Sequence, residues 1–489
     1  MSKNIVVIGA GFAGISAACH LAKKGHRVTL LEKNGVPGGR ARQYTESGFN
    51  FDMGPSWYWM PDVFERFFQH FDKHPSDYYE LERLDPSYRV VFKDEFVDLP
   101  AEMSGMEELF EKYEPGSGLK LRKFLKQAAF KYEVGINDLV YKPSRSVTEF
   151  IDARLLYGLL RMDVFTSMRK HVHRFFKNEK LRELMEFPIL FLGGTPETTP
   201  ALYSLMNYAD ISLGTWYPEG GMYSVVKAMT SMAEELGVNI YLNEEVLEFG
   251  FEGKKIHKVI TEKNEYEAEV VVAGADYNHV DQTLLPEHFR NYSESYWKSR
   301  TMAPSSLLFY LGVDKPIKNL LHHTLFFDED FNLHAKEIYR DPQWPTKPLL
   351  YTSATSKTDN TAAPEGKENL VILIPVAPGL EDTDEIREKY FDLAIGRLEK
   401  FTGTQFKNDI IVNRSYAHRD FISDYHSFRG NAYGLANTLL QTAVLKPSLK
   451  NKKLKNLYFT GQLTVPGPGV PPSLISGEVV ANEIDKDFR

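Results

Sequence analysis

Two glycine-rich segments, one near each end of the chain, carry the residue types with the clearest chemistry. The first places Gly9, Gly11 and Gly14 in the order G-x-G-x-x-G, between an apolar run at 4–8 and a helical pattern at 12–24. Glycines in this setting allow a tight turn, close approach of the backbone to a pyrophosphate and close packing of helix on sheet. This segment therefore predicts a bound dinucleotide with its phosphates at the helix N-terminus.

An acid and a second glycine pair strengthen this prediction. Glu32 ends the next apolar run, where a carboxylate can bind ribose hydroxyls. A double glycine ending in Gly39 then precedes Arg40, which suits a second backbone approach to a diphosphate beside a cation. The candidate cofactor residues of the N-terminal half also include Gly54, Pro55, Ser56 and Val246, the last at the start of a predicted strand.

The second glycine-rich segment follows the apolar run 457–459. Gly461 and Gln462 come first, and a Pro/Gly-rich elbow from Pro466 to Pro472 then leads into a helical pattern. We expect Gly461, Gln462, Val470 and Pro471 to complete the cofactor site. A dinucleotide held by both ends of one chain indicates a flavin and predicts redox chemistry.

Composition excludes several classes of protein. The chain has 489 residues and a net charge of −8, which argues against a nucleic-acid-binding protein. Its single cysteine, Cys19, lies in a small-residue helical segment, which indicates packing and a reducing compartment. There is no signal-peptide pattern and no apolar run of about 18 residues, and we predict no metal site. We therefore expect a cytoplasmic location.

The order of apolar and helical patterns predicts an α/β fold. A β-α-β unit opens the chain, and strand-like runs return after a helix at 222–236, ending with 270–274. We predict a discontinuous Rossmann-like FAD-binding domain with an interleaved substrate domain of mixed sheet and helices. The FAD-binding domain would take residues 1–90, 215–280 and 405–489, and the substrate and membrane-facing region would take 91–214 and 281–404.

The succession of glycine fingerprint, acid and G-G-R segment resembles the flavin amine oxidase superfamily. Trp216-Tyr217-Pro218-Glu219-Gly220-Gly221-Met222 further resembles a segment of bacterial-type phytoene desaturases, as do Ala303-Pro304-Ser305-Ser306 and His322-His323-Thr324. The resemblance covers nearly the whole chain. It implies FAD as cofactor and removal of hydrogen from a long nonpolar polyene, with hydride transfer from an allylic carbon and loss of a proton from its neighbour. A membrane quinone or oxygen would reoxidise the flavin.

The residue that takes the proton stays open. The candidates are Asp152, Glu149, Glu219, His171 and His173, and their spacing favours none. The activity also has alternatives to phytoene desaturation. They are desaturation of a later carotenoid, such as 3,4-desaturation of a hydroxylated or monocyclic one, carotenoid cis–trans isomerisation, amine oxidation, and a binding role like that of Rab GDP-dissociation inhibitors.

A polyene dissolved in a bilayer requires an enzyme that reaches the membrane. Residues 150–176 combine apolar and cationic side chains at helical spacing, including Arg169 and Lys170. This pattern is typical of a helix at an anionic lipid surface and also of an ordinary amphipathic core helix. With the resemblance, it predicts peripheral attachment to the inner face of the membrane.

Overall fold

A parallel sheet joins the two ends of the chain. The computed structural model describes residues 2–150, 163–191 and 193–488. Its five-stranded sheet has parallel neighbours throughout. In spatial order the strands are Leu457–Phe459, Val270–Ala273, Asn4–Ile8, Arg27–Glu32 and Asn239–Leu242. The predicted Rossmann-like α/β core is therefore confirmed, with the C-terminal strand at one edge.

The first and last helices pack closely against each other. The helix Phe12–Lys23 contacts the helix Val470–Phe488, and Ser16 Oγ donates to the Leu474 carbonyl at 2.7 Å. A Cβ at Gly477 would lie 2.6 Å from the Ala13 carbonyl, so this crossing requires glycine. Cys19 is fully buried on the first helix, as its small-residue surroundings predict. The N-terminal and C-terminal glycine segments are thereby held side by side.

A second, seven-stranded mixed sheet forms the other half of the molecule. Its strands in spatial order are Ile410–Tyr416, Ser305–Val313, Glu368–Val376, Leu350–Ser353, His323–Phe327, Tyr88–Phe92 and Phe96–Leu99. All neighbours are antiparallel except His323–Phe327 and Tyr88–Phe92, which run parallel. The strand Ser305–Val313, second from one edge, is buried along its whole length, so even this side of the sheet lies in the protein core.

The division between the two sheets follows the chain only in part. Strand Ile410–Tyr416 comes after residue 405 yet lies in the seven-stranded sheet, whereas the residues from Leu457 onward belong to the five-stranded sheet. The helix Asp384–Thr402 covers the seven-stranded sheet and ends at Gly403 in the left-handed conformation.

The remaining elements surround these two sheets. The other strands are Gln43–Glu46, Phe49–Asp52, Leu81–Arg83, Trp216–Pro218, Val246–Glu252, Lys255–Thr261 and Glu265–Glu267. The other α-helices are Pro61–Gln69, Met103–Tyr113, Ser117–Tyr132, Met168–Phe175, Glu179–Glu186, Pro188–Phe191, Leu205–Asn207, Met222–Glu235, Tyr277–His279, Glu294–Lys298, Phe331–Tyr339 and His418–Tyr425.

The chain that follows the strands Tyr88–Phe92 and Phe96–Leu99 is mainly helical up to residue 214 where the structure describes it. Two π-helical stretches, Glu133–Leu139 and Tyr208–Ser212, interrupt it. Within the candidate lipid-facing stretch 150–176, residues 151–162 lie outside the described residues, and the described part includes the helix Met168–Phe175. Among the described helices, none is both long and apolar enough to cross a membrane.

Candidate active site

The three glycines of the G-x-G-x-x-G turn have different structural roles. Gly9 adopts a φ of 93°, and its N–H donates to the Leu31 carbonyl at 2.7 Å, which links the turn to the neighbouring strand. A Cβ at Gly14 would lie 1.9 Å from the Gly9 carbonyl oxygen, so Gly14 permits the helix to meet the sheet. A Cβ at Gly11 would meet no atom within 4 Å, and Gly11 faces a cavity.

Glu32 stabilises the same turn. Its Oε2 accepts the Ala10 N–H at 2.8 Å, and its Oε1 accepts the backbone and side-chain N–H groups of Asn34 at 2.8 and 2.9 Å. The side chain is buried at the cavity wall. A ribose bound there would hydrogen-bond to the Glu32 carboxylate, whose orientation is already fixed by three N–H donors.

The double-glycine segment lies directly on the first turn. The Gly38 N–H donates to the Ala10 carbonyl at 2.7 Å, and a Cβ at Gly39 would stand 3.3 Å from Gly11 Cα. Arg40 follows and points its guanidinium across the cavity wall to Ser427 Oγ at 3.0 Å and the Asn431 carbonyl at 3.2 Å. Burial lowers the pKa of Arg40, which nearby Asp276 partly offsets. A buried cation beside two glycine turns suits a diphosphate.

The C-terminal elbow closes the opposite wall. The Gly461 N–H donates to Ser476 Oγ at 3.0 Å, and the Gln462 amide oxygen accepts from Arg40 Nη2 at 2.9 Å. Behind the elbow, Lys446 is buried, donates to Asn437 Oδ1 at 3.0 Å, and has its pKa lowered by burial to about 8. The sequence carries no signal for this buried amine.

One continuous cavity of about 450 Å³ connects these segments. Every predicted cofactor residue lines it except Gly14, which packs helix against sheet. The cavity-lining residues are Gly9, Gly11, Glu32, Gly39, Arg40, Gly54, Pro55, Ser56, Val246, Gly461, Gln462, Val470 and Pro471. The two halves of the chain thus supply one site.

A strap formed by residues 418–434 forms part of the cavity wall, and the sequence does not predict it. Within the strap, His426 stacks on His279 with ring centroids 4.0 Å apart and lies 2.6 Å from Glu245 Oε1. Burial lowers the pKa of His279 to about 4, so this ring is neutral. Beside Glu32 and Val246, these stacked rings are placed to cover the nucleoside end of a dinucleotide.

The other end of the cavity is apolar. Its wall comes from the seven-stranded sheet and the helices packed on it. The residues are Phe187, Met206, Leu325, Phe327, Ile338 and Leu349. Trp57, Trp59, Tyr351 and Tyr433 line the region between this apolar end and the glycine turns. Such a wall suits a long hydrocarbon, because it offers few polar partners.

None of the predicted proton acceptors that the structure describes lines this cavity. Glu149 accepts backbone N–H groups of its own loop, and Glu219 is exposed at the surface. His171 is buried near Lys131 and Asp163, and burial lowers its pKa to about 4. His173 lies 3.3 Å from Glu186 Oε1. Asp152 lies outside the described residues.

The segment 217–222, whose residues follow the pattern Y-P-x-G-G-M, has a structural role. Its Gly221 precedes the helix Met222–Glu235, and Asp52 accepts the Met222 and Tyr223 N–H groups at 2.7 and 3.1 Å. Asp359 accepts the Tyr217 hydroxyl and the Gly220 N–H, both at 2.8 Å. The two carboxylates thereby fix the turn that leads from the strand Trp216–Pro218, which pairs with Leu81–Arg83, to the helix Met222–Glu235.

We expect Gly221→Ala to lower the free energy of unfolding by about 2–4 kcal/mol, because it adds strain at a φ of 86° and displaces the Asp52 cap. A Cβ there would lie 2.6 Å from Asp52 Oδ2. Gly237→Ala is the matched control, since Gly237 has a φ of 81° but open space around its Cβ. Chemical denaturation should show a smaller loss for Gly237→Ala, and equal losses would exclude a role for the cap.

Comparison with known proteins defines the class to which this fold and cavity belong. The chain belongs to the family of flavin containing amine oxidoreductases, which matches residues 12–485. The fold agrees with solved structures, among them an oxidoreductase from Methanosarcina mazei at 15% identity, with a TM-score of 0.64 over 99% of this chain and all of that one. Wild-type putrescine oxidase is similar, at 15% identity, with a TM-score of 0.58 over 99% of each chain.

More similar relatives are carotenoid desaturases. A carotenoid 3,4-desaturase of Haloarcula japonica is 42% identical over 99% of both chains. A zeta-carotene-forming phytoene desaturase of Myxococcus xanthus is 32% identical over 99% of this chain and 94% of its own. A 4,4'-diapophytoene desaturase of Staphylococcus aureus is 30% identical over 99% of both. The predicted resemblance, the FAD cofactor and the class of FAD-dependent oxidoreductase are confirmed.

The residues present fit FAD. The open space at Gly11, the N-terminus of the helix Phe12–Lys23 and buried Arg40 together offer N–H groups and positive charge to a diphosphate. Glu32, Val246, Gly54, Pro55 and the C-terminal elbow line the same cavity, where Glu32 and Val246 would hold the nucleoside and the others would border the flavin.

Proposed function

We propose that the chain is an FAD-dependent carotenoid desaturase that acts at the 3,4-position of an already conjugated carotenoid. The observation that carries this proposal is the 42% identity to a carotenoid 3,4-desaturase over 99% of both chains, against 32% and 30% for the two desaturases of earlier precursors. The apolar half of the cavity supports a long hydrocarbon substrate.

Each part of the cavity then has a role in the proposed desaturation. Bound FAD supplies the hydride acceptor that side chains cannot provide. The apolar wall of Leu325, Phe327 and Leu349 holds the polyene by burial and keeps water from the reacting carbons. Trp57 and Trp59 present aromatic faces beside the predicted flavin turn, where they would stabilise positive charge that develops on the substrate.

Phytoene desaturation is the second candidate, since the Myxococcus phytoene desaturase matches the chain over 99% of its length. Purified holoenzyme should be supplied with phytoene or with a lycopene-type carotenoid, each in liposomes. We expect a red shift of absorption only from the lycopene-type carotenoid, because desaturation at the chain end lengthens its conjugation. Conversion of phytoene alone would favour the second candidate.

We also propose that the enzyme docks peripherally on the inner face of the membrane and passes its electrons to a membrane quinone or to oxygen. Phe165 and Leu440 are 96% and 78% exposed. Both residues lie near the turn that contains Ala201 and Tyr203. The Ala201 N–H donates to the carbonyl of Thr166, the residue after Phe165, at 2.7 Å. The Tyr203 hydroxyl lies 3.3 Å from Oγ1 of Thr442, two residues after Leu440. Exposed apolar side chains of this size insert readily into a bilayer interface.

The apolar pair is a better candidate for docking than Arg169, whose guanidinium binds Glu186 and Glu197. We expect the double variant Phe165→Ser, Leu440→Ser to weaken binding to liposomes about 10²-fold, since it removes two large side chains worth about 1.5–3 kcal/mol each. Leu247→Ser, at a residue 52% exposed on the strand Val246–Glu252, is the control and should bind normally. Unchanged binding of the double variant would place docking elsewhere.

A further inference from the structure

Three polar side chains form a hydrogen-bonded chain from the cavity wall into the seven-stranded sheet. Ser56 Oγ lies 2.7 Å from the Tyr351 hydroxyl, which lies 2.7 Å from His323 Nδ1. Ser56 and Tyr351 line the cavity, while His323 is fully buried behind them. Among the residues that the structure describes, His323 Nε2 has no hydrogen-bond partner. A buried imidazole connected to the cavity only through two hydroxyls calls for a chemical explanation.

We assign a direction to this chain from its polar atoms. The Ser56 hydroxyl can give its one proton to the Tyr351 oxygen, which leaves the Tyr351 proton for His323 Nδ1. In this arrangement the neutral imidazole carries its hydrogen on Nε2. Burial holds the pKa of His323 well below its ordinary value, so the ring is an uncharged acceptor.

We propose that Ser56, Tyr351 and His323 form the proton acceptor of the desaturation, an inference that rests on the proposed function. Bound FAD would be the oxidant and would accept the hydride that leaves one carbon of the substrate. The C–H electron pair of the adjacent carbon becomes the new π bond, and its proton goes to Ser56 Oγ. The Ser56 proton passes to the Tyr351 oxygen and the Tyr351 proton to His323 Nδ1. The hydroxyls end neutral, and His323 ends as an imidazolium.

A weak base is sufficient for this step. Once the hydride has left, the neighbouring C–H bond is strongly acidic, so a neutral imidazole can accept its proton. A neutral ring also avoids repulsion with the positive charge that develops on the polyene. The imidazolium formed is stabilised by Trp57, whose ring is stacked on His323 at 4.1 Å with an interplanar angle of 10°. The other titratable ring beside it, that of His322, lies 4.4 Å away and is kept neutral by burial.

The direct test removes one hydroxyl oxygen from the hydrogen-bonded chain of side chains. We expect Tyr351→Phe holoenzyme to turn over saturating carotenoid about 10²-fold more slowly, the usual effect of losing a general base. FAD content and carotenoid affinity, measured by quenching of protein fluorescence, should stay unchanged. Tyr390→Phe is the matched control, because Tyr390 is buried against the same sheet, is not among the cavity-lining residues and donates its hydroxyl to the Pro345 carbonyl at 2.6 Å. Its rate should stay within about threefold, since no proton passes through it.

Two further measurements separate chemistry from packing. Ser56→Ala should show the same slow turnover, and Ser56→Thr, which keeps the hydroxyl, should restore it. In protein with ¹⁵N-labelled histidine, the resonance that is absent from His323→Gln should report a neutral ring with an unprotonated Nδ1. An imidazolium or the opposite tautomer near neutral pH would overturn the relay.

The outcomes distinguish this inference from the function on which it rests. Wild-type activity with full activity of Tyr351→Phe would overturn the relay alone. Loss of carotenoid affinity in Tyr351→Phe with unchanged turnover would instead indicate that the cluster binds a polar group of the substrate. This result would also overturn the relay. Inactivity of the wild type toward every carotenoid would contradict the proposed function and the relay with it.

Discussion

Gly11→Val should abolish retention of FAD while the fold persists. Gly11 has a φ of −79° and a ψ of 176°, which any residue adopts, and no atom lies within 4 Å of its ideal Cβ. The added side chain would therefore cost the protein chain little and would occupy the space that a pyrophosphate needs. We expect flavin absorbance to be lost on gel filtration, at least a 10²-fold weakening, because ligand backbone contacts worth about 3 kcal/mol or more disappear.

Gly14→Ala provides the contrast. Its Cβ would stand 1.9 Å from the Gly9 carbonyl oxygen, a backbone atom that cannot move without opening the turn. We expect this variant to lose thermal stability even without FAD, whereas apo Gly11→Val should melt with the wild-type apoprotein. Stoichiometric FAD in purified Gly11→Val would exclude this loop as the phosphate site.

The Asp210→Asn variant should be more stable than the wild type at alkaline pH. Burial raises the pKa of Asp210 from 3.8 to about 7, against hydrogen bonds from Tyr88 and Thr215 that lower it. Because the folded pKa exceeds the unfolded one, the unfolded chain releases its proton first as the pH rises. The contribution of Asp210 to the free energy of unfolding is therefore largest below its unfolded pKa and is lost by about pH 7. The difference is up to about 4 kcal/mol.

Urea denaturation at about pH 5 and about pH 8 measures this difference. Asparagine keeps an acceptor for Tyr88 and cannot ionise, so the gain over wild type should grow from the lower to the higher pH. Asp359→Asn should instead lose the same amount of stability at both pH values. Burial opposes ionisation of Asp359 but hydrogen bonds from Thr361, Tyr217 and Gly220 outweigh it and lower its pKa, so this group is ionised in the folded and the unfolded chain at both. Parallel pH profiles for the two variants would contradict the assignment of Asp210.

The nucleotide-binding half was predictable because its chemistry is local in sequence. Gly9, Gly11 and Gly14 lie within one turn, and Glu32 ends the adjacent strand, so spacing alone implies a phosphate site. Local signals also delimit the helix Asp384–Thr402, which Thr383 caps at its start and Gly403 ends in the left-handed conformation. Local signals of this kind do not depend on how distant segments meet.

The substrate half was not predictable, because it is assembled from distant segments. Tyr351 lies on the four-residue strand Leu350–Ser353, which is too short for a clear pattern, and His323 and Ser56 come from two other segments. The edge strand Ile410–Tyr416 alternates imperfectly between buried and exposed residues. Only the topology of the seven-stranded sheet brings Tyr351 next to His323.

The motif of Gly220 and Gly221 illustrates a second limit. Its resemblance to a desaturase segment points correctly to the family, yet its residues cap a helix and do not contact the apolar cavity. The candidate base Glu219 lies in this motif, yet it is exposed at the surface and does not line the cavity. A recurring segment can therefore identify a fold without identifying the chemistry.

The central claim is that this chain transfers hydrogen from a carotenoid to its own bound FAD. The most direct measurement mixes oxidised holoenzyme anaerobically with a lycopene-type carotenoid in liposomes and records flavin and carotenoid absorbance together. We predict that loss of oxidised-flavin absorbance is matched by an equimolar red-shifted carotenoid. A flavin that stays oxidised in the presence of phytoene and of lycopene-type carotenoids alike would contradict the claim.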